Sequence, residues 1–207
     1  MKIVSILNQK GGSGKTTLST NIAHALKLKG YKVLLVDGDP QGSCRDWNAA
    51  NDGNIVPVVG LDRETLPKDL DAIKNGYDWI IIDGAPQIAR LAASAIKASD
   101  IVLIPVQPSP YDIWATSDLV DLIKARQEIT DNKLNAAFVI SRSIKNTRLS
   151  HEINEALNEY ELPVLKNGTT QKVAYPTSAT EGGTVFTIQD QKASHEINMI
   201  VKELMEL

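Results

Sequence analysis

Short, almost wholly apolar runs alternate along the chain with longer stretches in which apolar residues recur every three or four positions. Runs this short are typical of strands buried on both faces, and their alternation with helical stretches indicates βαβ units. The pattern therefore predicts an α/β fold with a doubly wound, mainly parallel sheet and helices on both faces. The predicted strands are Lys2–Leu7, Val33–Val36, Trp79–Ile82, Ile101–Pro105 and Ala136–Ile140, with weaker candidates at Ile55–Val59 and Val164–Leu165.

The first helical stretch is Thr16–Lys29, where apolar residues follow an i, i+4 spacing and Gly30 stands at the position of a helix C-cap. Further along, Lys166–Thr187 is rich in Gly, Thr and Ser. Irregular segments of that length are usually functional, so we expect this one near the site. The other predicted helices are Pro67–Lys74, Ile88–Ala98, Tyr111–Ile129, Leu149–Tyr160 and Ala193–Met205.

Composition narrows the class of protein. A chain of 207 residues fits one α/β domain spanning residues 1–207. The net charge of -3 excludes a global basic field, so any contact with DNA has to be local. Cys44 is the single cysteine, which excludes an internal disulfide and suits a reducing compartment such as the cytoplasm. The sequence shows neither a leader peptide nor an apolar run of about 18 residues, so we expect no secretion and no membrane span.

The strongest chemical signal is KGGSGKTT, Lys10 to Thr17, between the first strand and the first helix. Its glycines let backbone N–H groups turn toward one point at a helix N-terminus, where phosphate binds well. Lys15 is then expected to reach the β- and γ-phosphates and Thr16 to bind Mg²⁺. The usual spacing of this motif requires Gly at position 9, where this chain has Gln9. A Gly-rich surface turn is the alternative interpretation.

KGGSGKTT resembles the deviant Walker A motif of the ParA/MinD family of ATPases, and the resemblance extends over nearly the whole chain, closest to the small plasmid-partition members. It implies ATP or ADP and Mg²⁺ as cofactors. It also implies that Lys10 crosses a dimer interface to the phosphates of a partner's nucleotide, although a solvated Lys10 attracting phosphate locally is the alternative. The residues that the motif implies as phosphate contacts are Lys10, Gly11, Gly12, Ser13, Gly14, Lys15, Thr16 and Thr17.

Three carboxylates follow predicted strands at the sheet edge where ligands of open α/β sheets bind. Asp83, at the end of WIIID, fits the Mg²⁺-holding carboxylate of a P-loop protein, acting through water. In VDGDPQ, the resemblance implies that Asp39 activates the attacking water and that Asp37 supports the metal shell. A turn shaped by both residues before Pro40 is the alternative.

The resemblance also implies two base contacts, Arg142 in ISRS and Pro176 in AYPTSATEGGTVF. A solvated arginine in the cluster Arg142, Lys145 and Arg148 is an equal alternative for the first. The segment VQPSP, Val106 to Pro110, is either a switch across the dimer interface or a stiff turn.

Other classes of protein share this phosphate loop, and further sequence features distinguish this chain from them. Iron-protein-type reductases need a cysteine pair, which a chain with one cysteine lacks. Membrane-cycling members carry a basic C-terminal helix, whereas EINMIVKELMEL has an acidic polar side and is expected to pack on the sheet. A P-loop kinase or ligase with a small-molecule acceptor stays open.

The function expected is that of a DNA-partition ATPase with slow turnover, or of a relative positioning another cargo. The chain starts its first strand at Lys2, so we expect no N-terminal helix-turn-helix. The partners expected are a second copy in an ATP-dependent homodimer or a polymer, a small DNA-binding centromere-binding protein that accelerates hydrolysis, non-specific DNA, and no membrane.

Overall fold

A parallel sheet forms the centre of the molecule in this computed structural model, which describes residues 1–144 and 148–207, the side chains of residues 148–152 excepted. Its strands are β1 (Lys2–Ile6), β2 (Val33–Gly38), β3 (Val58–Gly60), β4 (Trp79–Gly84), β5 (Ile101–Val106) and β6 (Asn135–Ile140). They lie in the order β3-β2-β4-β1-β5-β6, and each neighbouring pair is parallel. The predicted doubly wound α/β class is confirmed.

Helices connect these strands and cover both faces of the sheet. The helices of the described residues are α1 (Lys15–Leu28), α2 (Ser43–Ala50), α3 (Leu66–Ile73), α4 (Ala89–Ala98), α5 (Pro110–Trp114), α6 (Ser117–Ile129), α7 (Arg148–Asn158), α8 (Ala174–Thr180) and α9 (Gln191–Glu206). One apolar core lies between the sheet and α1, α2 and α9, and a second lies between the opposite face and α3, α4, α6 and α7. Successive residues of a strand serve opposite cores, as Ile81 and Ile82 do in β4.

The structure departs from the predicted elements in five places, and the first is the weaker strand Ile55–Val59, where β3 covers only Val58–Gly60. The helix predicted over Tyr111–Ile129 is broken after Trp114, where the Thr116 hydroxyl donates to the carbonyl of Ile113 and draws it from the helical ladder. The prediction missed α2 and α8, since neither short helix carries a full apolar stripe, and α8 lies inside the stretch expected to be irregular. Instead of a strand, Val164 forms one bridge to Phe138.

The C-terminal helix α9 packs against the sheet, as its apolar positions predict. Ile197, Ile200, Val201 and Leu204 are completely buried beside α1. Met205, in the last turn of the predicted helix, lies outside this apolar side, because it is 42% exposed. Among the described residues, no helix combines the length and apolarity that a membrane crossing requires.

Candidate functional site

The phosphate loop occupies the turn between β1 and α1, at the carboxyl edge of the sheet. Gly12 and Gly14 have φ values of +75° and +100°, which glycine adopts without strain. A Cβ atom at Gly11 or Gly12 would meet nothing within 4 Å, so the space before the loop is open. The buried Ser13 hydroxyl has no hydrogen-bond partner among the described residues. An orphaned donor beside a helix N-terminus fits a phosphate group.

Side chains at the ends of neighbouring strands fix the shape of this loop. The Asn8 side-chain amide donates to the carbonyl of Pro105 at 2.7 Å, and its carbonyl oxygen accepts from the Lys10 backbone N–H at 2.8 Å. Asn8 is buried, and its bond to Pro105 lies away from water. Both polar atoms of the Asn8 side chain are therefore hydrogen-bonded, which fixes the start of the loop relative to β5.

The far side of the loop is held from β5 and β6. Gln107 Nε2 donates to the Gly12 carbonyl at 2.7 Å, and the Ser141 hydroxyl donates to the Ser13 carbonyl at 2.6 Å. Gln107 belongs to the VQPSP segment, whose contact with the phosphate loop is compatible with both the switch and the stiff turn. These two bonds satisfy the Gly12 and Ser13 carbonyls and hold the loop against the ends of β5 and β6.

Lys15 lies at the start of α1 with only 7% of its surface exposed. Its ammonium donates to the Lys10 carbonyl at 3.0 Å. Burial lowers the pKa of this ammonium, while the nearby charges of Asp83 and Asp39 oppose that shift. A buried cation at the N-terminus of a helix is suited to a strongly charged anion such as a polyphosphate.

Asp83 is the central carboxylate of the site and is 1% exposed. Its oxygens accept hydrogen bonds from Thr16 Oγ1 at 2.7 Å, from Ser19 Oγ at 2.9 Å and from Cys44 Sγ at 3.3 Å. Burial raises the pKa of Asp83 to about 6, against the effect of these donors. Cys44 is buried, and its thiol belongs to this network.

Thr16 and Asp83 are the pair predicted to hold Mg²⁺, and the structure brings them within hydrogen-bond distance. No group of three His, Cys, Asp or Glu residues arranged for a metal exists in the part of the chain that the structure describes. A hydroxyl and a carboxylate with water and phosphate oxygens as further ligands fit Mg²⁺, which keeps several of its waters.

Asp37 lies beside Asp83 in the sheet register and is completely buried. Its oxygens accept from the Asp39 N–H at 3.1 Å, and from the N–H and Nε of Arg45 at 2.9 and 3.3 Å. Arg45 also donates to the Asp39 carbonyl at 3.0 Å and to Asp62 at 3.1 Å. An arginine therefore holds the Asp37 carboxylate in this conformation, so a role for Asp37 in the metal shell is indirect unless Arg45 moves.

Asp39 is half-buried, and its carboxylate accepts from the Gln41 N–H at 2.9 Å. This bond closes a turn around Pro40, as the alternative interpretation of VDGDPQ predicts. It leaves acceptor capacity on the carboxylate, because an ionised group has about four lone-pair sites. The turn and the catalytic role are therefore compatible.

Lys10 forms an ion pair within its own chain. Its ammonium lies 2.5 Å from Oδ2 of Asp112, which belongs to α5. The Asp112 side chain is 4% exposed, whereas the Lys10 side chain is 40% exposed. The other oxygen of Asp112 is buried and has no partner among the described residues. A Lys10 ammonium that moved to a second chain would give up this ion pair.

Arg142 and Pro176 line one cavity of about 740 Å³, beside Gly14 and Thr17. Arg142 has a φ of +54°, and its N–H donates to Thr169 Oγ1 at 3.1 Å. The cavity adjoins the phosphate loop and is large enough for the base and ribose of a nucleotide. The long segment expected near the site does line it.

Two small basic patches would allow a local contact with DNA, Arg142 with Lys145 and Arg148, or Lys124 with Arg126, and they are only partly described. Lys145 lies outside the described residues, and the side chain of Arg148 does as well. Lys124 is paired with Glu161 at 2.7 Å. Binding of DNA therefore stays a prediction.

Comparison with known proteins agrees with this site. The model of the CobQ/CobB/MinD/ParA nucleotide-binding domain matches residues 4–185. The chain belongs to this family. It is a P-loop ATPase of the ParA/MinD type, which confirms the resemblance at family level. Its individual site residues stay predictions.

Similar proteins in this family are named for different cellular tasks. The maintenance of carboxysome distribution protein A of Halothiobacillus neapolitanus is 31% identical over 98% of this chain and 95% of its own. The sporulation initiation inhibitor protein Soj of Bacillus subtilis is 30% identical over 77% of this chain and 79% of its own. The septum site-determining protein MinD of Pyrococcus horikoshii, solved with Mg-ADP, has a TM-score of 0.75 at 20% identity and covers 98% of this chain and 95% of its own. At that identity the likeness supports the fold alone.

We expect Asp83 to make the nucleotide-free chain less stable as the pH rises. Its pKa is about 6 in the folded chain and 3.8 as a free side chain, so the folded state keeps a proton that the unfolded state releases. The resulting stabilisation is complete below about pH 4 and is lost as the pH rises through about 6. In urea unfolding without nucleotide or Mg²⁺, the free energy of unfolding of the wild type should fall by about 3 kcal/mol relative to that of Asp83→Asn as the pH rises from about 4 to about 7. A constant difference would contradict the raised pKa.

Proposed function

We propose that this ATPase positions a large cargo in the cell by a cycle of ATP binding, dimerisation and hydrolysis. The observation that carries the proposal is the meeting of Lys15, Thr16 and Asp83 at one sheet edge, beside a cavity of nucleoside size and with Lys10 at the loop entrance. Bound ATP supplies the phosphoanhydride, and Mg²⁺ supplies positive charge at its β- and γ-phosphates.

The chain's own residues then have separate tasks. Lys15 holds the charge of the β- and γ-phosphates, while Thr16 and Asp83 hold the metal. Asp39 orients the attacking water and accepts its proton. Lys10, released from Asp112, reaches the phosphates bound by the second chain and stabilises negative charge there.

The first candidate cargo is DNA, which follows from the resemblance of KGGSGKTT to the small plasmid-partition members of the family. A small DNA-binding centromere-binding protein is the proposed activator, and non-specific DNA is the proposed surface. A bacterial cytoplasmic location, near the nucleoid, belongs to this proposal because the one cysteine suits a reducing compartment.

The second candidate cargo is a protein compartment. The relative named for carboxysome distribution matches 98% of this chain, which favours such a cargo. Deletion of the gene distinguishes the two: plasmid loss supports DNA partition, whereas retained plasmids with clustered compartments support the second candidate. If the deletion produced neither phenotype, a positioning role would be contradicted.

The biochemical proposal is tested by phosphate release and sedimentation velocity with ATP, with ADP and without nucleotide. We expect slow turnover of ATP by the wild type. A dimer or larger species should form with ATP but not with ADP or without nucleotide. Lys15→Ala should not bind nucleotide. Random-sequence duplex DNA should bind the ATP form at low salt and dissociate as salt rises. A monomer under all conditions would overturn the cycle.

A further inference from the structure

The C-terminal helix α9 contributes a half-buried carboxylate behind the wall of the nucleoside-sized cavity. Glu196 accepts hydrogen bonds from Thr170 Oγ1 at 2.6 Å, from the Thr170 N–H at 3.2 Å and from Tyr175 Oη at 2.8 Å, and it pairs with the Lys172 ammonium. Its side chain is only 11% exposed. Burial raises the pKa of Glu196, but the donors from Lys172 and Thr170 outweigh burial and leave it lowered, so the carboxylate is ionised at neutral pH.

The donors around Glu196 share one further property. Thr170, Lys172 and Tyr175 all line the cavity, whereas Glu196 does not. One carboxylate thus ties a hydroxyl, an ammonium and a phenol of the wall to a helix anchored in the core. Removing it would leave three polar groups without their shared acceptor, and hydrogen bonds to a charged group are among the stronger ones in proteins.

We propose that Glu196 is the positioning residue of the base cavity, holding Thr170, Lys172 and Tyr175 in the arrangement that receives the base and ribose of the nucleotide. It acts through these three side chains and does not touch the ligand. The inference rests on the proposed function, since it assigns the cavity to the nucleoside part of ATP.

The same helix provides a matched control. Glu203 accepts from the N–H groups of Lys166 and Asn167, each at 2.8 Å, and from Asn167 Nδ2 at 2.6 Å. Glu203 thus ties the preceding part of the same segment to α9, but Lys166 and Asn167 are not among the residues that line the cavity. Loss of either carboxylate should loosen the segment, and only loss of Glu196 should disturb the cavity wall.

The test compares Glu196→Gln and Glu203→Gln by calorimetry with Mg-ADP and with Mg-pyrophosphate, which lacks the base and ribose. We expect Glu196→Gln to bind ADP about tenfold more weakly, because charge-assisted hydrogen bonds to the wall are lost. Its affinity for pyrophosphate and its kcat at saturating ATP should stay within about twofold of the wild type, with the loss appearing in KM. Glu203→Gln should keep wild-type affinity for both ligands.

Three results would overturn the assignment of Glu196. These are unchanged ADP affinity in Glu196→Gln, an equal loss for ADP and pyrophosphate, and an equal loss in Glu203→Gln. If Glu196→Gln does not fold, Tyr175→Phe removes one donor and keeps the ring in the wall, and the same selective loss of ADP affinity is expected, smaller in size. A wild type that binds neither ligand would refute the proposed function itself, a result distinct from the other three.

Discussion

Replacement of Asp39 by Ala is expected to lower ATP turnover by about 10²- to 10⁴-fold, the range that a general base contributes. The carboxylate stands at the carboxyl edge of β2, and Arg45 fixes the backbone that carries it. Nucleotide affinity should persist, because Lys15 and the loop N–H groups are unchanged. The variant should therefore accumulate as an ATP-bound dimer, which phosphate release and sedimentation velocity will measure together.

Asp39→Asn separates this role from the turn. The amide oxygen can still accept from the Gln41 N–H, so the turn is retained, but an amide cannot accept the proton of the attacking water. We expect both variants to lose turnover to a similar extent. If Asp39→Asn turned over normally while Asp39→Ala did not, the turn would be the whole contribution of Asp39.

The parts of the site that the sequence predicts are those set by local chain geometry. KGGSGKTT is contiguous, so its glycines, Lys15 and Thr16 are placed by one turn between a strand and a helix. Asp37 and Asp83 are far apart in the chain, but parallel strands bring their carboxyl ends to one edge, where the two residues pair in register. Strand prediction therefore placed both at that edge, while their direct pairing depends on the strand order β2-β4, which was not predicted.

The residues that the sequence did not reveal are those whose partners depend on tertiary packing. Asp112 lies on α5, far from Lys10 in the chain, and the two meet only because α5 packs beside the phosphate loop. Arg45 lies just beyond VDGDPQ on a helix that was not predicted, although a cation so close to two aspartates was a usable signal. Asn8 and Gln107 are ordinary polar residues, and only their bonds to Lys10 and Gly12 mark them.

Replacement of Lys10 by Ala is expected to abolish dimerisation with ATP at concentrations where the wild type is dimeric. A twofold dimer contains the Lys10 contact twice. Loss of two charge-assisted hydrogen bonds should raise the dissociation constant of the dimer by about 10²- to 10⁴-fold. ATP binding by the monomer should change little, because Lys10 is tied to Asp112 rather than to the loop of its own chain. Sedimentation velocity over a range of protein concentrations measures the dissociation constant.

Asp112→Asn provides the opposite change at the same ion pair. The amide keeps the shape of the side chain and removes the charge that holds Lys10 within its own chain. Separating the pair then costs less, so Asp112→Asn should dimerise with ATP at a lower protein concentration than the wild type. If Lys10→Ala dimerised normally, Lys10 would act only locally, and Asp112→Asn would have no effect on assembly. If instead both variants lost the dimer, Asp112 would be needed for the interface itself, because the ion pair would then support assembly rather than compete with it.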